Sequence, residues 1–201
     1  MKDSVFNPEE QQRNLSGKII SGLERVSQAF KVLLWNKAKA LGLSPIQIQL
    51  LIFISYHKND LNNVSFLAQE FNVTKPTISD AVKVLDKKGL IIKEYSSADS
   101  RSYSIYPSEK GKEIVVQTDD FALPLLESIE GIDEKQQSDF FQTLTHLIFQ
   151  LNRKGILTVQ RSCHSCRFYR GGTGSHYCNL LEKVLQQTDI RLDCPEYESS
   201  I

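Results

Sequence analysis

The feature that most constrains this chain is a change of period at one glycine. Before Gly89, in "VSFLAQEFNVTKPTISDAVKVLDKKGL", apolar residues return at helical intervals; after it, "LIIKEYS" and "SYSIYP" are β-rich. The first part reads as a short helix, "VSFLAQEF", then a turn, then a second helix. Thr74 is placed to cap that second helix, because its hydroxyl can accept from an unpaired amide of the first turn, where Pro76 is also tolerated. Ile78, Val82 and Leu85 form its apolar stripe, and Gly89 stops it. The two β-rich runs, separated by the polar "SADSR", predict a hairpin.

In order and length these pieces describe a winged helix-turn-helix. Leu67, Ala68 and Phe71 of the first helix are expected to pack on Ile78, Val82 and Leu85 of the second, with the small Ala68 permitting close approach. One face of the second helix is then left free, carrying Lys75, Thr77, Ser79, Asp80 and Lys83. Such a face can enter a major groove and meet base edges and phosphates. The whole chain gives no electrostatic hint, since 24 Lys and Arg balance 24 Asp and Glu. Locally, between Lys75 and Lys112, eight basic residues stand against five acidic ones, a bias of +3. A lysine run is ordinarily only a solvated helix face. Here pattern, turn and hairpin agree, which favours double-stranded DNA as the partner.

Long helices flank this unit. Leu15, Ile19, Leu23, Val26, Phe30 and Leu33 predict one over 14–41, ended by Gly42. "LSPIQIQLLIFISYHKN" reads as a buried helix with Ser44 as cap and Pro45 at its first position. From Glu109 a further helix is expected, kinked or divided at Pro124. The last long helix should run from an Asp133 cap to Gly155. The fold class is therefore mainly α with a small β-hairpin wing (α+β). The expected domains are a dimerisation helix over 1–43, the winged helix over 44–110, dimerisation helices over 111–155 and a cysteine segment over 156–201.

That last segment holds all four cysteines of the chain, Cys163, Cys166, Cys178 and Cys194. It is expected to contain a loop, "RGGTG", and one short helix, "NLLEKVLQQ". Leu180, Leu181, Val184, Leu185 and Leu192 offer only a small core, so a metal cross-link would supply missing folding energy. Four thiolates suit tetrahedral zinc, and the two-residue gap between Cys163 and Cys166 lets one turn present both sulfurs. An iron–sulfur cluster is the alternative, with Pro195 after the last cysteine, and a thiol–disulfide switch is a third. His164 and His176 lie close enough to substitute as ligands, although loop histidines are more often solvated. Arg161, Arg167, Arg170 and Arg191 either contact DNA or offset the charge of a four-thiolate site.

The stretches "LSPIQIQLLIFI", "FLAQEFNVTKPTISDAVKVLDKKGLI" and "DSRSYSIYPSEKGKEI" resemble the MarR family of transcriptional regulators over about residues 15–155. The Asp-x-Arg of Asp99 and Arg101, followed by strand residues and "SEKG" at 108–111, is the most specific part. The resemblance implies that Arg101 inserts into the minor groove with Asp99 orienting it, which suits the negative potential of a narrow groove. It also implies a homodimer built by the first and last helices, use as a repressor, and a small-molecule, redox or metal effector. Asp80 departs from the family, many of whose members carry a basic residue after the "VS" of this helix where this chain has "IS" followed by Asp80, so Asp80 is expected to pair with Lys83 or Lys87, or to accept from a cytosine amine.

Other functional classes find little support. There is no phosphate-binding glycine loop on a strand and no convincing Ser/His/Asp set, and His57 and His146 sit in helical segments, so an enzyme or electron-transfer protein is not expected. A protein-docking winged helix is the remaining alternative. No apolar run is long enough to span a membrane, and the polar start lacks a signal-peptide core, so a cytoplasmic location is expected.

Overall fold

The computed structural model describes residues 4–11, 13–95, 102–118, 120–172 and 175–200. A single helical turn, α1 (Pro8–Gln11), precedes the long α2 (Leu15–Ala40). Asn14 caps α2 by accepting from the Ser16 and Gly17 amides, and Gly42, at φ +61°, takes the left-handed backbone that ends it. In α3 (Pro45–Tyr56) the Gln47 side chain reaches back to accept the Ser44 amide at 2.9 Å. A 3-10 turn (Asn59–Leu61) leads to α4 (Val64–Glu70), capped by Asn63, and then to α5 (Lys75–Lys87). Gly89, at φ +68°, turns the chain into an antiparallel hairpin of β1 (Ile91–Tyr95) and β2 (Tyr103–Pro107).

The core forms around α3. Ile48, Leu50, Leu51, Phe53 and Ile54 are buried against Leu67 and Ala68 of α4, Ile78, Val82 and Leu85 of α5, and Ile105 of β2. Each of these side chains other than Ala68 stabilises the fold by roughly 1.5–3 kcal/mol. Buried Asn62 ties the wing to this core: its Nδ2 donates to the Ile54 carbonyl at 3.2 Å, and its own carbonyl accepts the Ile105 amide at 2.8 Å.

The "SEKG" turn has a steric reason for its glycine. Ser108 Oγ donates to the Gly89 carbonyl at 2.7 Å and accepts the Gly111 amide at 3.0 Å. A Cβ at Gly111 would stand 2.0 Å from the Leu90 carbonyl oxygen. The wing thus leads into α6 (Glu109–Thr118) through a crossing that only glycine fits. Pro124 divides the next segment rather than kinking it, because α7 (Leu123–Glu130) starts afresh with the proline in its first turn. Asp133 caps α8 (Glu134–Arg153), and Gly155, at φ +71°, follows its end.

The cysteine segment departs from the sequence expectation in two places. "RGGTG" is not a free loop: β3 (Tyr169–Gly172) pairs antiparallel with β4 (Ser175–Cys178), while residues 173 and 174 lie outside the described residues. "NLLEKVLQQ" is not a helix: β5 (Lys183–Leu185) pairs with β4 instead. A helix there has nothing to bury its stripe against, and so short a helix is unstable alone. Pairing with β4 satisfies the same backbone groups. The expected leucine core shrinks accordingly: Leu185 and Ile190 are buried, whereas Leu180, Leu181, Val184 and Leu192 are exposed. Among the described residues no single helix is long and apolar enough to cross a membrane.

Candidate nucleic-acid interface and four-thiol site

The packing of α4 on α5 decides which side chains of α5 face outward. Thr74 Oγ1 accepts the Thr77 amide at 3.3 Å and lies 2.8 Å from Thr77 Oγ1, fixing the start of the helix. With Ile78, Ala81, Val82 and Leu85 turned inward, Lys75, Thr77, Asp80 and Lys83 are exposed and Ser79 is half-buried. The five residues therefore lie off the buried face of one helix, whose N-terminus offers the helix dipole, while its Thr77 amide is already taken by Thr74 and Pro76 has none. Lys83 Nζ lies 2.9 Å from Asp80 Oδ1, so the acid offsets one of the lysines on that face. Asp99 and Arg101 lie outside the described residues.

The wing is anchored by a pair that the sequence does not single out. Lys93 Nζ of β1 lies 2.6 Å from Asp86 Oδ2 of α5 and sits over the Tyr103 ring. The hydrogen bond that Lys93 donates to Asp86 holds the Lys93 pKa above its ordinary value. The pairing orients the hairpin against the helix, and its only sequence trace is a basic residue in the middle of a strand.

All four cysteines line one cavity of about 30 Å³, with Phe168, Tyr169 and Leu185 among its walls. The sulfurs are free thiols and half-buried. Cys163 and Cys166 come from a 3-10 turn, Cys178 from the end of β4, and Cys194 from the segment that runs beside Arg161. Arg191 serves two of them: its amide donates to Cys163 Sγ at 3.3 Å and its Nη1 to Cys194 Sγ at 3.8 Å. Burial pushes the Cys163 thiol up, the Arg191 amide opposes this, and the neighbouring thiols push it further up. Such a donor set suits a thiophilic metal, whose charge would relieve the crowding of sulfurs. As the side chains stand, no group of three or more His, Cys, Asp or Glu among the described residues is close enough to hold a metal ion.

The two tail histidines are half-buried and partnered rather than free in solvent. His176 Nδ1 meets the Tyr169 hydroxyl and its Nε2 meets Gln187 Oε1, so both nitrogens are occupied. His164 lies against the Phe149 and Tyr169 rings, and burial, followed by the charges of His176 and His146, lowers its pKa.

Arg161 and His57 carry the contact between the cysteine segment and the winged helix, and the sequence gives no sign of it. Arg161 Nη1 lies 2.6 Å from Glu70 Oε2, and its Nη2 lies 2.7 Å from Asp193 Oδ2. The guanidinium also covers the Phe53 and Phe66 rings. Burial opposes its charge, but the hydrogen bonds to Asp193 and Glu70 outweigh that cost and raise its pKa. At Asp193 burial likewise favours the neutral acid, and the bonds from Arg161 and His57 overcome it, holding the carboxyl far below its ordinary range. Arg167 is different, forming an exposed pair with Glu198 at 2.7 Å.

Two short helices joined by a tight turn, with an outward polar face and a hairpin wing, define a winged helix-turn-helix protein. Residues 41–102 match the model of the MarR family. The fold is shared with the S. aureus MepR–DNA complex (TM-score 0.56, 21% identity, covering 64% of this chain and 94% of that one). It is shared too with a MarR-family transcriptional regulator from Silicibacter pomeroyi (0.57, 20%, 70% and 94%) and a MarR transcriptional regulator from Methanosarcina mazei Go1 (0.55, 23%, 70% and 97%). None of the curated proteins matches the chain.

Proposed function

We propose that the protein is a sequence-specific DNA-binding transcriptional regulator of the MarR type, a repressor and not an enzyme, acting on duplex DNA in the cytoplasm. The observation that carries this is the outward face of α5. Lys75, Thr77, Ser79 and Lys83 stand on one side of a helix whose other side is locked into the core, beside a hairpin fixed to it by Asp86 and Lys93. Selection of tight binders from a random duplex library, followed by fluorescence anisotropy across a salt series, tests it. Affinity should fall steeply with salt, and Lys75→Ala with Lys83→Ala should flatten the slope by about two phosphate contacts. Binding that ignores salt, or no binding at low salt, sinks the reading.

The working form is a homodimer. Supporting this, Leu15, Ile19, Val26 and Trp35 of α2 and Leu126 and Phe140 of α7 and α8 remain exposed on long helices. A solvated monomer gains nothing from that apolar surface, whereas a second copy would bury it. Sedimentation equilibrium giving only monomer at micromolar protein would overturn it.

The four cysteines hold a metal that is either structural or sensory, zinc in the leading reading and an iron–sulfur cluster in the alternative. The convergence of all four thiols on one cavity supports a metal, and the donor set admits both occupants. Metal analysis and the visible spectrum of protein purified without air separate them. A colourless protein with one zinc per chain supports the first, and a brown one supports the second.

A further inference from the structure

The cysteine segment is fastened to the helix-turn-helix where α4 ends. Arg161 bonds Glu70, the last residue of α4, at 2.6 Å. Thr158 Oγ1 donates to the Gln69 carbonyl at 2.6 Å, and Asn72 Nδ2 donates to the Ile156 carbonyl at 3.5 Å. These contacts hold the last two residues of α4 and Asn72 of the turn from which α5 departs.

The same segment presents the thiols. Arg161 stands two residues before Cys163, and Asp193 stands immediately before Cys194. The Cys194 amide donates to the Arg161 carbonyl at 3.0 Å, and the Cys163 amide to the Arg191 carbonyl at 3.1 Å. Whatever draws Cys163 and Cys194 together therefore aligns Arg161 with Asp193, and the aligned pair presents the guanidinium fork to Glu70. Few apolar side chains of the segment are buried, Leu185 and Ile190 among them, so packing alone offers little to hold this alignment.

Resting on the metal and DNA readings above, we propose that Arg161 is a positioning residue coupling occupancy of the four-thiol site to the order of the α4–α5 turn, so that the metal-loaded protein binds duplex DNA more tightly. The coupling follows from linkage. A metal that binds only the aligned segment favours the docked state, and the docked state holds the turn that sets the angle of α5.

The test compares full-length protein as purified without air, stripped by a chelator under reducing conditions, and reloaded with Zn²⁺. Hydrogen exchange is read at the Phe71, Asn72 and Val73 amides. Stripping should speed their exchange at least about tenfold and Zn²⁺ should restore it, within the usual range of coupling between sites. In Glu70→Gln, and in Arg161→Lys, which keeps the charge but loses the fork, exchange should stay at the stripped rate while zinc stoichiometry is unchanged. Protection unaffected by stripping in the wild-type chain overturns the coupling, as does a chain that retains no metal. Duplex affinity should fall about tenfold on stripping, and equal affinity in both forms overturns the regulatory half. No duplex binding by either form instead removes the DNA reading, and the exchange data still judge the coupling on their own.

Discussion

Arg161 Nη1 lies 2.6 Å from Glu70 Oε2 although the two residues are 91 positions apart. Arg161 also carries both oxygens of Asp193, with Nε at 2.8 Å from Oδ1 and Nη2 at 2.7 Å from Oδ2. One planar fork thus joins two carboxylates that would otherwise repel each other, which a lysine cannot do with the same geometry.

Removing the fork should cost stability. Arg161→Ala leaves Glu70 and Asp193 facing each other and uncovers Phe53 and Phe66. Because Asp193 is partly exposed, the loss should be about 2 kcal/mol rather than the full cost of breaking a buried pair. Arg167→Ala, which breaks a pair open to solvent, should change stability by less than about 0.5 kcal/mol. Urea unfolding of both variants checks the contrast, and equal effects would mean that burial of the Arg161 network matters little.

Two glycines separate steric need from chain freedom. Gly111→Ala drives a Cβ to 2.0 Å from a backbone oxygen, so it should destabilise by about 2 kcal/mol. Gly131 has φ −72°, ordinary for any residue, and its nearest neighbours for a new Cβ stand 3.7 Å away. Gly131→Ala should instead stabilise by about 0.5 kcal/mol through the unfolded chain. Thermal melts that reverse this order would contradict the packing described at the "SEKG" turn.

His57 supplies a pH dependence with a definite sign. Its Nδ1 lies 2.9 Å from the Phe53 carbonyl and its Nε2 lies 2.8 Å from Asp193 Oδ2. Both partners accept, so only the doubly protonated ring satisfies both. The Asp193 bond leads in raising its pKa above 6.5, burial and Arg161 oppose, and the Phe53 carbonyl adds to the rise. A raised folded pKa means the contribution is complete below the unfolded value and is lost as pH climbs through the folded one. Stability measured upward from pH 6 should therefore fall in the wild type and fall less in His57→Gln. Parallel curves would show that the ring is neutral in the folded state.

Asp80 should restrain DNA affinity. Asp80→Asn removes a negative charge from the face of α5 and releases Lys83, so duplex affinity should rise about threefold to tenfold at low salt, with a steeper salt slope. Unchanged affinity in anisotropy titrations would place α5 away from the phosphates.

Local chemistry was the readable part of this chain. Thr74, Asp133, Gly89 and Gly155 act within a few residues of their own positions, and each sits where its turn or cap requires. The switch from helical to alternating spacing marked the hairpin for the same reason. "NLLEKVLQQ" has helical composition, and only pairing with its neighbour β4 makes Lys183–Leu185 a strand. Glu70 and Arg161 were unreadable as a pair, since each is an ordinary surface-type residue until the fold brings them together. The face of α5 was legible as residues, and its orientation came from the burial of Ile78, Val82 and Leu85.

The distance along the chain between Glu70 and Arg161 also sets a clock. At about 5–20 residues per second, a ribosome needs roughly 5–18 s to add the 91 residues that follow Glu70, up to and including Arg161. In the later part of that interval, once Ile105 has been made, the nascent helix-turn-helix has its apolar nucleus in the chain but lacks the guanidinium that closes over Phe53 and Phe66. Docking of the cysteine segment is thus a late, separately timed step of biogenesis, made onto a domain whose own chain is already complete.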